Sequence, residues 1–207
     1  WNRVDSILAL PLRNDVSHVY LTQNDDYRSN IGILGHAPLI NRPTYTMMGL
    51  SSDNELKLRC GLGDYFSYLD TCRSLEWELL TNWHNVYPKP KGASEFAEFD
   101  RRLVLRNELH RRVTDVIHNG IGRSAAIGII TILAFLDERQ DYYLWVMKRS
   151  KNVAIDPDLL VAVPSGMFQP VTHEPDLEYA KGGIRANIYR EYLEELFSVN
   201  EPEGTQT

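Results

Sequence analysis

Near the C-terminal end of this 207-residue chain, Glu191, Glu194 and Glu195 sit at i, i+3 and i+4 within the run IRANIYREYLEELF, residues 184–197. If that run is helical, the spacing brings three carboxylates to one patch, while Ile184, Ile188 and Leu196 fall near a stripe on the other side. Close carboxylates repel one another. They are tolerated when solvated, or when a hard divalent cation such as Mg2+ sits among them. Arg190 reaches Glu194 at i+4 and can hold part of the patch in place. A Glu-rich amphipathic helix is also compatible with a plain solvated face, and the helix alone does not separate the two readings.

The elements that must position this helix lie just before it. Residues 124–135 are rich in β-branched and apolar types, 137–141 form a polar turn, and 142–148 are again strand-like and end in Lys148-Arg149. Residues 155–163 return in extended form and run into Pro164-Ser165-Gly166, where glycine permits a bend that other residues resist. Met167-Phe168-Gln169-Pro170 follow, then a polar loop, then the carboxylate helix.

This order of elements resembles the Nudix superfamily, whose box runs from a leading Gly through a loop to a helix bearing Arg-Glu-bulky-any-Glu-Glu. Gly166 stands as the leading Gly, and Arg190-Glu191-Tyr192-Leu193-Glu194-Glu195 matches the helical core position by position. The stretch between them is longer than the family's, and Phe197 and Ser198 replace the closing Gly and bulky residue. The resemblance covers roughly residues 120–197 and implies an α+β fold: a Nudix-like mixed sheet with packed helices, carrying an N-terminal mixed α/β extension.

It further implies that Glu191, Glu194 and Glu195 are Mg2+ ligands and that Glu194, Glu195 and Arg190 are the catalytic group. Lys148, Arg149, Gly166, Phe168 and Gln169 would then meet substrate. The implied reaction is hydrolysis, by attack of a metal-activated water on the phosphoanhydride of a nucleoside diphosphate-linked substrate. A second reading, also by resemblance, is a non-catalytic Nudix-like module that senses a nucleotide-like ligand for an actinobacterial helix-turn-helix regulator. A third is an interaction domain with neither ligand nor reaction.

Composition bounds the rest. The chain is long enough for one large or two small domains, with 1–118 expected as an N-terminal strand and helix region and 119–207 as the Nudix-like region. The net charge of −6 argues against a general nucleic-acid surface, despite a local group of arginines at 101, 102, 106, 111 and 112. Cys60 and Cys72 lack zinc-ligand spacing and suit a reducing, cytoplasmic setting. No run has the length of a membrane span; the partner that the Nudix resemblance implies is a nucleotide-like small molecule. Oligomeric state is unreadable at this level.

In the N-terminal region, residues 6–12 and 17–23 read as a hairpin and 31–34 as a short strand. Residues 44–50 and 56–62 read as a second strand pair. Asp64 is a helix cap, and 65–83 form one long amphipathic helix. Residues 96–116 read as another helix, with Phe96, Phe99, Leu103, Leu109 and Val113 inward. The loop 174–183, with its paired glycines, is placed to close over a ligand.

Overall fold

The computed structural model describes residues 27–28, 39–52, 56–86, 92–150, 158–170 and 183–197. The expected strands at 6–12, 17–23 and 31–34 lie outside these residues, as does almost all of the expected closing loop at 174–183.

The described residues form a mixed α+β fold built from small antiparallel strand pairs and helices. The first pair is the expected one. Strand β1 (Pro43–Ser51) runs antiparallel to β2 (Lys57–Asp64), with a register shift between Met47 and Gly49. Helix α1 (Tyr65–Tyr68) starts where Asp64 caps it, its carboxylate accepting from the Ser67 amide at 2.9 Å. The helix runs on through a π-helical turn, Leu69–Arg73, into α2 (Ser74–Val86).

That turn buries Leu69, Asp70 and Thr71. Its polar groups find partners across the fold: Asp70 pairs with Arg28 at 3.4 Å, and Thr71 Oγ1 accepts from the Ser124 amide at 2.8 Å while donating to Ser67 O.

The next expected helix is two. Helix α3 (Ala93–Arg102) and α4 (Val104–Arg112) are broken at Leu103, whose ψ of 66° is not helical. The break is held from outside, because the Glu78 carboxylate on α2 accepts the Leu105 and Arg106 amides at 2.7 and 3.1 Å. Those are first-turn donors with no partner inside α4, so a neighbouring helix caps it. Phe99, Leu103, Leu109 and Val113 are buried as expected, whereas Phe96 is 53% exposed.

The C-terminal half is organised by one strand pair that splits. Strands β3 (Gly128–Ile130) and β4 (Ala134–Leu136) follow one another along the chain, as do β5 (Tyr142–Leu144) and β6 (Val146–Lys148). At the tip β4 pairs with β5. Toward the base the partners change: β6 pairs with β7 (Leu160–Ala162), and β3 pairs with β8 (Ser165–Met167).

The hydrogen bonds explain the split. Leu133 O still accepts from Trp145 N at 3.0 Å, but two residues earlier Thr131 N donates to Pro164 O at 2.9 Å. The 160–167 segment, which reverses around Val163 and Pro164, thus enters between strands that diverge. The apolar run read as one strand has three successive partners: β1 at residues 125–127, β8 at 128–130 and β5 at 134–136.

A three-way junction joins the halves. Tyr45 N donates to Phe168 O (2.8 Å), Phe168 N to Ile127 O (2.8 Å), and Ile127 N to Tyr45 O (3.0 Å). The Tyr45 and Phe168 rings lie 4.4 Å apart at their centroids. With Cys60 they form the buried cluster, against which Ile127, Ile129 and Ile184 pack. Residues from both expected regions, 1–118 and 119–207, therefore share one core.

Candidate functional site

Helix α5 (Gly183–Phe197) lies against β8 and the residues after it. Ile184 enters the core cluster. Further along the same side, buried Asn187 donates from Nδ2 to the Gln169 carbonyl at 3.1 Å. Arg190 Nη1 donates to that carbonyl at 3.3 Å, and its Nη2 is 2.8 Å from Glu191 Oε1. One turn on, Glu195 Oε2 accepts the Ser165 amide at 2.9 Å.

The Glu191 carboxylate rests on Gly166 so closely that any Cβ there would stand under 3.0 Å from its oxygens. Gly166 lies in the middle of β8 and not in the expected bend, which falls at Val163 and Pro164; glycine is needed there for proximity, since no other residue lets the carboxylate approach the backbone.

This corrects the expected face assignment. Glu191 and Glu195 are not opposite the apolar stripe; they share the side of Ile184 that faces the strand. Glu194 is exposed. The bare backbone at 165–166 accounts for the difference, because it offers an amide donor and room for two carboxylates where side chains would block them.

The remaining candidate residues separate into two groups. Gln169 contributes its backbone carbonyl, the anchor for Asn187 and Arg190. Phe168 does not face the carboxylates as a ligand contact would, being 2% exposed inside the core cluster. Lys148 is exposed and pairs with Asp158 at 3.0 Å.

Arg149 sits closer to the helix. Its backbone is fixed by a bond from its amide to Leu159 O at 2.9 Å, while Nε is buried with no partner among the described residues. Its charge is felt at both Glu195 and Tyr65.

Electrostatics mark Glu195. Burial raises its pKa above the ordinary value, the Ser165 amide opposes that shift, Glu194 adds to it, and Arg149 opposes it. Tyr65 is likewise raised, chiefly by burial, with Tyr27 adding to the shift and Arg73 and Arg149 opposing it. Asn187 escaped the sequence reading: a neutral Asn inside an amphipathic helix carries no local signal, and only the fold brings it to the Gln169 carbonyl.

Among the described residues, no three His, Cys, Asp or Glu side chains gather as a metal cage. Magnesium does not require one, since it is commonly held by one or two carboxylates together with substrate phosphates and water. Glu194 and Glu195 supply hard oxygen donors whose charges disfavour one another, a pair that a cation relieves. Glu191 is engaged by Arg190, each side chain 14% exposed, which leaves Glu194 and Glu195 as the carboxylates of the expected set that could hold the ion.

Comparison of the chain with known protein families, with curated proteins and with solved structures finds no match. Among the described residues no helix is long and apolar enough to cross a membrane.

Proposed function

We propose that the α5 and Gly166 surface is a Nudix-type hydrolytic site for a nucleoside diphosphate-linked substrate. The observation that carries this reading is the docking of Glu191 and Glu195 on the Ser165-Gly166 backbone, with Arg149 near Glu195.

In this reading Glu194 and Glu195 hold Mg2+, which when bound neutralises phosphate charge and acidifies water. Arg149 and Lys148 bind substrate phosphates, and Arg190 fixes Glu191 and the Gln169 carbonyl. A water oxygen attacks phosphorus as the bridging P–O bond breaks. Glu195 takes the water proton, a task suited to a carboxylate whose pKa burial has raised. The leaving phosphate departs with the bridging oxygen and its electron pair.

A second reading has its own support. Glu191 is already neutralised by Arg190, and three-carboxylate clustering is missing among the described residues. Both features suit a non-catalytic module that binds nucleotide-like ligands and signals by the stability they confer.

The test is a panel of nucleoside diphosphate derivatives with Mg2+, read for release of phosphate or mononucleotide. Turnover that Glu194→Gln and Glu195→Gln each abolish supports the hydrolase. Thermal stabilisation by the same compounds without turnover supports the sensor, and neither response overturns both.

A further inference from the structure

Strand β1 is buried on both sides at Thr44, Tyr45 and Thr46, and only one of those sides is apolar. Tyr45 stands with Cys60 on the side that meets Phe168. The alternation of a strand puts Thr44 and Thr46 on the other, and the register sets them opposite Gly63 and Gly61. Two hydroxyl side chains thus line a shallow trough floored by two glycines. Ser124 covers it: its Oγ stands 3.0 Å from where a Cβ on Gly63 would lie, with Thr46 Cβ and Cγ2 3.5 Å from the same point. At the far end Met48 closes the trough, 3.1 Å from the matching point on Gly61.

Thr44, Thr46 and Ser124 are no more than 2% exposed, and the side-chain oxygen of each makes no hydrogen bond among the described residues. Buried hydroxyls are rarely left so, because stripping a polar group of water without replacing its bonds is costly. Ser124 is pinned over the trough by its amide, which donates to Thr71 Oγ1 at 2.8 Å, and Thr71 is tied in turn to the Ser67 carbonyl. We propose that the trough is the binding site of an internal water that bridges Ser124 to the two threonines.

The chemistry of the three groups selects this ligand. Each hydroxyl is one donor and two acceptors, so whatever satisfies them must both give and take hydrogen bonds. The hydroxyl walls and the Met48 end carry no charge to balance an ion. A buried water typically makes about three hydrogen bonds to groups that would otherwise go unpaired, and three such groups share this face. The bridge fastens β1 to Ser124 on the side opposite the Tyr45–Phe168 junction, so the strand is held to the C-terminal half through both of its faces.

The test is a crystal structure of the full chain, at a resolution that shows ordered solvent, together with urea unfolding of Thr46→Val, Ser124→Ala and the double variant. Density for a water within hydrogen-bond distance of Ser124 Oγ and of a threonine Oγ1 is expected. Each single variant removes one bond to that water, so its unfolding equilibrium constant should rise about fivefold. The double variant should fall short of the product of the two, because both hydroxyls hold the same molecule. A hydroxyl with no partner gives the opposite sign, since replacing it by a methyl or a hydrogen removes a group that was buried unsatisfied. Unfolding constants that fall in either variant overturn the proposal. So does a structure in which the three oxygens meet no water, or meet a side chain from outside the described residues in its place.

Discussion

The Glu191 carboxylate occupies the space a side chain would take at Gly166, where any Cβ would lie under 3.0 Å from its oxygens. That contact joins strand β8 to helix α5, and Arg190 holds the carboxylate in place at 2.8 Å. The whole candidate site depends on this seating.

Gly166→Ala should therefore act through Glu191. The atoms met are the far end of a flexible side chain, so the backbone need not move, but the carboxylate must leave its seat beside Arg190. A loss of about 1 kcal/mol is expected by denaturant unfolding, at the low end for overpacking. In a double-mutant cycle with Glu191→Ala the added loss from the alanine should largely vanish. Additive losses would show that the two residues do not contact one another as described.

Phe168→Ala should be far more damaging. Its ring is buried against Tyr45 and Cys60, and its backbone closes the junction between the halves. A loss of about 3–5 kcal/mol is expected for a fully buried aromatic. A loss below about 1 kcal/mol, measured by urea unfolding, would contradict a packing role and reopen Phe168 as a ligand contact.

How far the sequence revealed these relations varied with their range. The 44–50 and 56–62 strand pair, the Asp64 cap and the helix beyond it were legible, because each rests on neighbours a few residues apart. The helix break at Leu103 was not, since it is stabilised by Glu78, far back in the chain. The periodicity runs straight through it, which is why Phe96 read as core.

The same holds at the site. The three glutamates and Gly166 stood out by type and spacing, but which carboxylates turn inward is set by an amide at Ser165 and a missing side chain at 166. The role of Gln169 was invisible for another reason: it acts through a carbonyl that every residue carries.

Both thiols should be protected in the folded protein. Burial pushes Cys60 up from 9.0 to about 12 and Cys72 from 9.0 to about 11. Below pH 9 both thiols are protonated in either state, and the folded form loses nothing. Above it the unfolded thiols ionise while the folded ones keep their protons, so stability should fall as pH rises from about 9 toward 11 and 12. Cys60→Ala should flatten part of that slope. Rapid native-state reaction of the Cys60 thiol with an alkylating reagent at pH 8 would contradict its burial.

The central claim, that α5 and β8 at Gly166 form a magnesium-dependent phosphoanhydride site, is tested most directly by the metal dependence of nucleotide turnover. Phosphate or mononucleotide release should require Mg2+, disappear in Glu195→Gln, and persist in Glu138→Gln, a carboxylate exposed in the distant 137–141 turn. Release that survives Glu195→Gln, or that proceeds equally in excess chelator, would contradict the account.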